Sequence, residues 1–383
     1  MNAPVATVGP YSILGGFPAA EPNAFLAEHR QDGRRVVLRH VPSGNLAHPG
    51  TLERFRRITD AAIRLNRCNI VRLHQVAHEN GHYNAAIEYV DGPNLQEFVS
   101  MHGALPAWEA ARIIREAALA LQHVHEAGLD HGDLKPGKLL LERSGAVKLL
   151  GVALPRYLTD EEALLTRQYD EAVLGTADYL SPECVLDADP PDIRRDIYSL
   201  GGVFYFCLTG RPPFAEGSVA QKLIWHQTRQ PLPVTDFRPE VPRGLLPILD
   251  RMLAKNRAQR YQTPLEIVRA LDQCQARGGQ PEPRASLGGL LDRWFRHMTP
   301  PEVPAEREDK AHWLLPALWP QTGPWSATVL ELVQALRRGE DCQYALHDAL
   351  IDQGHAELAV HFNRASGGHD QTCCVLRAFQ ASD

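Results

Sequence analysis

One short segment gathers side chains that can move protons and hold phosphate. In His131-Gly132-Asp133-Leu134-Lys135-Pro136-Gly137-Lys138 an aspartate stands among two lysines. A carboxylate can serve as a general base, and ammonium groups can neutralise phosphate without a metal. Arg39, in Arg34-Arg35-Val36-Val37-Leu38-Arg39-His40, is a third candidate cation. Two readings stay open for Arg39, Lys135 and Lys138: convergence into a basic pocket, or three solvated cations. A second pattern is His74, His78 and His82, whose spacing on a helix would suggest a metal site. The turn residues Glu79-Asn80-Gly81 interrupt it, so these read as ordinary strand and turn histidines. Seven cysteines, at 68, 184, 207, 274, 342, 373 and 374, are odd in number and scattered. That usage fits a reducing compartment without a disulfide framework, and the vicinal pair Cys373-Cys374 reads as incidental.

The elements that must position these groups follow from periodicity. Residues 11–90 read as strands around one helix. Arg34 to His40 is β-branched after the turn Asp32-Gly33, and Leu52, Phe55, Ala62 and Leu65 have helical spacing. Ile70 to Ala77 and Tyr83 to Val90 form a hairpin pattern. From about 94 to 275 the pattern is mostly helical. Pro106 opens one helix, running to about His125. Asp196 to Leu208 is apolar nearly all round, the mark of a buried helix, and 245–254 and 264–273 are amphipathic. Residues 276–325 are rich in proline and tryptophan (Trp294, Trp313, Trp319, Trp325) and read as a connector with a short helix near Leu287 to Met298. Those tryptophans could form a binding surface, but packing back onto the preceding domain is the expectation. Helix returns from 327, where Thr328-Val329-Leu330-Glu331 fits a capping box.

The 383 residues carry a net charge of −6, which gives no reason to expect nucleic-acid or anionic-membrane partners. The N-terminus lacks the basic and apolar regions of a signal peptide, and no stretch approaches the ~18 apolar residues of a spanning helix. The cytoplasm is the expected location.

Six ordered motifs across residues 70–271 carry a resemblance. The segment from His131 to Leu141 resembles the catalytic loop of protein kinases. Val147-Lys148-Leu149 resembles the strand before the metal-binding triplet. Gly175-Thr176-Ala177-Asp178-Tyr179-Leu180-Ser181-Pro182-Glu183 resembles the end of the activation segment. Asp196-Ile197-Tyr198-Ser199-Leu200-Gly201 resembles the helix that anchors the loop, with Thr209-Gly210-Arg211-Pro212-Pro213-Phe214 following as in the family. Lys255-Asn256-Arg257-Ala258-Gln259-Arg260-Tyr261 resembles the closing motif. In style, including 222–226, the chain looks like bacterial serine/threonine protein kinases of the Hanks type. The resemblance implies an α+β, bilobal kinase-like fold over 1–275, with a small lobe to about 90 and a large lobe 91–275. The connector 276–325 and a small helical module, 326–383, would follow. Within that module, 344–355 and 369–376 are similar to a module common in planctomycete multidomain proteins, which implies no reaction.

The same resemblance marks this chain as a degenerate member. Its nucleotide pocket would be lined by Leu14, Val37, Arg39, Ile87, Glu88, Val90, Lys138 and Leu140. The flap over the phosphates should follow Leu14, but there the chain carries Pro18, Glu21 and Pro22, and each proline deletes a backbone N–H. Arg39 replaces the phosphate lysine, and its planar fork is no clean substitute. Val37 replaces a small alanine under the adenine, a crowding worth ~1–3 kcal/mol. Ile58 falls where the orienting glutamate belongs; Asp60, nearby, projects from a different helix face. Lys138 replaces the metal-binding asparagine and Gly151 the metal-binding aspartate. Asp133 remains at the base position with Lys135 beside it, and in this fold that aspartate also braces its own loop. Glu183, Asp196 and Arg260 match the family's structural residues.

Scaffold kept and machinery lost imply a pseudokinase with a regulatory or scaffolding role through protein partners. One alternative is an atypical kinase of low activity, with Asp133 as base and Lys138 replacing metal charge. Another is a metal-independent nucleotide sensor. No cofactor and no magnesium site are expected, and ATP binding is expected to be weak or absent.

Overall fold

β-branched and aromatic residues build the strands between residues 7 and 88 into one sheet. The computed structural model describes residues 7–16, 24–42, 46, 49–79, 82–152, 177–185, 192–278 and 287–297. Strands β1 (Thr7–Val8), β2 (Tyr11–Gly16), β3 (Ala24–His29), β4 (Arg35–Pro42), β5 (Leu73–Glu79) and β6 (His82–Glu88) pair antiparallel in the order β1-β2-β3-β4-β6-β5. Helix α1 (Pro49–Arg64) lies between β4 and β5 in sequence and buries Phe55, Thr59 and Ala62. Ile58 packs against the same core, and Asp60 is exposed.

The pleat of β4 decides what reaches the cleft. Val36 and Leu38 pack with Tyr11, Phe25, Ala27 and Ala86 on one side. Val37 and Arg39 therefore share the other side, cross-strand from Ile87 and Ala85. A one-residue slip would exchange the two sets.

The second lobe is helical. Asn94 and Glu97 form a capping box that starts α2 (Leu95–His102). Helix α3 (Ala107–Glu126) packs against α4 (Arg194–Thr209), which is buried from Asp196 through Leu208. The hairpin β7 (Leu139–Leu141) and β8 (Val147–Leu149) lies beneath the sheet lobe, bridged to it at Ile70 and Leu149. Helices α5 (Val219–Thr228), α6 (Val234–Phe237), α7 (Leu246–Met252) and α8 (Pro264–Gly278) complete the lobe, with α8 against α3.

Helix α9 (Leu287–His297) buries Leu287, Leu291 and Trp294 in the core shared with the helical lobe. The Trp294 ring stands 6.3 Å from Phe98 and 6.2 Å from His102 of α2, and the Arg143 guanidinium covers the Phe295 ring at 4.0 Å. The flap positions 17–23, the connector beyond 297, Trp313, Trp319, Trp325 and the module 326–383 with Cys373 and Cys374 lie outside the described residues. Among the described residues no helix is long and apolar enough to cross a membrane.

Where the chain leaves the sheet lobe, Gly92 meets β7 so closely that a Cβ would stand 1.9 Å from the Leu141 carbonyl oxygen. Backbone cannot yield as a side-chain end can. Gly92→Ala is expected to cost about 1–3 kcal/mol or more through overpacking, read as a melting temperature several degrees lower. An unchanged melting temperature would show that the two segments do not meet this way.

Candidate functional site

The loop bearing Asp133 is held from below by one buried carboxylate. Asp196, 1% exposed, accepts the backbone N–H of His131 at 2.9 Å and of Gly132 at 2.8 Å. It also meets His125 Nε2 at 3.1 Å. Burial alone would raise the Asp196 pKa, but the hydrogen bonds from His125 and from the His131 backbone hold it below the usual carboxylate range. His131, 2% exposed, ties the loop to the end of β8. Its Nδ1 accepts the Asp133 N–H at 3.3 Å, so Nε2 carries the hydrogen and donates to the Leu150 carbonyl at 2.9 Å. Burial pushes its pKa down, which favours that neutral form. His131 is a positioning residue that motif matching named but did not explain.

The cations converge. Lys135 Nζ stands 3.6 Å from Asp133 Oδ1, and Lys138 Nζ stands 3.9 Å from Oδ2. Lys138 and Arg39 are each 8% exposed. Burial pulls the Lys138 pKa down to about 8; Asp133 opposes the fall, and Arg39 and Lys135 reinforce it. Burial likewise lowers Arg39 to about 10, against the pull of Asp133. Lys138 and Arg39 are thus removed from water, while Lys135 stays partly exposed beside Asp133.

Around this cluster, Ile87 and Val90 are buried and Leu14, Val37 and Leu140 half-buried. The Glu88 N–H donates to the Arg72 carbonyl at 2.8 Å, and its carboxylate pairs with Lys148, which also lies 3.4 Å from Glu142. Gly151 is buried at φ 94, a left-handed backbone that favours glycine. The histidine series is not carried on one helix: His74 and His78 lie in β5 and His82 in β6, and His74 Nδ1 accepts from Arg34 Nη1 at 2.9 Å.

Lower in the helical lobe, Glu183 and Arg260 form a bidentate pair at 2.6 and 2.8 Å. A second buried network joins the activation-segment end to α4 and α5. Lys222 Nζ meets Asp178 Oδ1 at 2.5 Å. His226, fully buried, donates from Nε2 to the Asp178 carbonyl at 3.1 Å and accepts at Nδ1 from Tyr198 Oη at 2.8 Å. Lys255 Nζ donates to the same hydroxyl at 3.0 Å. The i, i+4 spacing of Lys222 and His226 on one helix face was the available signal for this network.

A small antiparallel sheet with one helix, set on a helical lobe whose central helix pins an aspartate loop, defines the protein kinase fold. The protein kinase domain family matches residues 22–271, and the chain belongs to that family. The serine/threonine-protein kinase PknB of Mycobacterium leprae is 34% identical over 252 residues, 65% of this chain and 40% of that protein. A probable serine/threonine-protein kinase PknB of Corynebacterium glutamicum is 31% identical over 307 residues, 78% of this chain and 45% of its own length. The chain thus spans less than half the length of these curated relatives. Among solved structures, the PknI kinase domain of Mycobacterium tuberculosis aligns with a TM-score of 0.57 and 24% identity, over 72% of this chain and 99% of that one. That likeness shows the fold alone, and it is the bilobal α+β fold expected from the motifs.

Proposed function

We propose that this chain is a pseudokinase that acts by binding protein partners and transfers no phosphate efficiently. The observation that carries the reading is Lys138: a buried ammonium 3.9 Å from Asp133 at the position that resembles a metal ligand. The residues present do not fit magnesium, which needs carboxylate or phosphate oxygens in a strict octahedron. Asp133 faces Lys135 and Lys138, Gly151 brings no side-chain oxygen, and Ile58 offers Arg39 no carboxylate. Positioning and charge neutralisation are most of what phosphoryl transfer requires. Cys68, Cys184, Cys207 and Cys274 are free thiols, which suits action in the cytoplasm.

A second reading, metal-independent nucleotide binding, is favoured by the convergence of Arg39, Lys135 and Lys138 on one carboxylate. The test of the main reading is incubation with γ-labelled ATP and Mg²⁺ or Mn²⁺, with generic protein substrates present. The expected result is no label on the chain or on the substrates. Metal-dependent labelling that disappears in Asp133→Asn would replace the pseudokinase reading with that of an atypical kinase.

A further inference from the structure

A second charged concavity lies beside residues 87–90, the hinge between the lobes, and shares only Glu88 with the residues assigned to the nucleotide pocket. Its volume is about 600 Å³, and its lining contains none of Val37, Arg39, Asp133 or Lys138. The start of β4, the loop after α1, the start of β5 and β8 bring Arg34, Arg35, Arg67, Arg72, His74 and Lys148 to one wall. Glu88 is the carboxylate among the lining residues, and it is already engaged by Lys148 and by the Arg72 backbone N–H at 3.0 Å. Arg34 is held by Asp32 at 2.5 Å. Arg35, Arg67 and Arg72 are exposed and make no side-chain hydrogen bond or ion pair among the described residues.

Such crowding of like charge is unfavourable unless an anion offsets it. A further donor waits at the same wall. His74 Nδ1 accepts from Arg34, so Nε2 carries the hydrogen, and that buried atom has no partner. Buried donors are almost always satisfied, and one left without a partner calls for a ligand or water. Guanidinium forks recognise phosphate in bidentate fashion, and three of them on an exposed rim suit a compact dianion.

We propose that this trough binds a phosphate monoester, with Arg35, Arg67 and Arg72 as the rim and His74 as an inner donor. The chemistry is shared by a free phosphate compound and by a phosphorylated serine or threonine of a protein partner. The site stands whether or not the cleft transfers phosphate.

The test is fluorescence anisotropy of the full chain with a labelled phosphoserine peptide, its unphosphorylated twin, and inorganic phosphate as competitor. The phosphopeptide is expected to bind at least 10-fold more tightly than the twin, more weakly as salt rises. Arg67→Gln with Arg72→Gln should remove most of that preference, while Lys138→Met keeps it. Both arginines are exposed, and an unchanged melting temperature will confirm that the variant folds. A second readout is Cys68, exposed in the same lining, whose alkylation by a maleimide should slow when the trough is filled. Millimolar phosphate displacing the peptide, with equal protection of Cys68, would assign the site to small phosphates; peptide preference over phosphate assigns it to a protein. Binding without phosphate preference, or binding lost in Lys138→Met but kept in the arginine variant, would overturn the proposal.

Discussion

Arg260→Ala is expected to destabilise the protein by about 3–5 kcal/mol, the usual cost of breaking a buried pair from one side. Arg260 is fully buried and spends its donors on both oxygens of Glu183 and on the carbonyls of Ala254, Arg194 and Lys255, at 2.6–3.0 Å. Its removal strands a carboxylate and three carbonyls together. Glu183→Ala should cost somewhat less, because Arg260 keeps its carbonyl acceptors. Asp133→Ala should cost less again. Its contacts to Lys135 and Lys138 are loose, at 3.6 and 3.9 Å, and its side chain is partly exposed. Lys138, already at about 8, can shed its proton when the carboxylate is gone, which limits the repulsion left behind. Thermal melts of the three variants check this ordering. Equal melting temperatures would mean that the Glu183–Arg260 pair does not anchor the lobe.

The second large effect is on nucleotide. ATP is expected to bind more weakly than ~1 mM, less than ~4 kcal/mol of binding free energy. On the pseudokinase proposal, half-buried Val37 would crowd the adenine, and Lys138, 3.9 Å from Asp133, would stand where a metal ligand is expected. Whatever binding remains must rest on Arg39, Lys135 and Lys138. It should therefore need no metal and fall steeply with salt. Added Mg²⁺ should weaken it, because the metal neutralises the phosphates those cations meet. The pH dependence has a definite sign. Lys138 is charged below its pKa, so binding should weaken as pH rises through about 8, whereas ATP itself is fully ionised by then. Lys138→Met should abolish that pH step. Calorimetry with and without Mg²⁺ is the measurement, and micromolar binding that requires the metal would contradict both the affinity and its cause.

Local pattern carried a large part of this protein. The pairing of β5 with β6, the long helix α3, the buried helix α4 and even helix α9 follow from apolar spacing and turn residues. The motif order marked Asp133, Asp196, Glu183 and Arg260, because each belongs to a short segment of recognisable composition. It also marked Ile58, Lys138 and Gly151 as departures, since residue identity at a known offset is a sequence property. The fate of the cations was not legible. Arg39 comes from β4 and Lys135 and Lys138 from a distant loop, and their approach depends on the register of β4 against β6 and on Asp196 pinning that loop. The buried chain from Lys255 through Tyr198 and His226 to Asp178 was equally hidden, since its members lie on separate elements. The trough beside the hinge draws on residues 34–35, 67, 72, 74 and 148, which share no motif. Composition and spacing determined which elements form and which chemical groups they carry. Tertiary structure alone decided which charges meet and how far each is removed from water, because Coulomb interaction and desolvation depend on distance and burial in space, and neither is a function of separation along the chain.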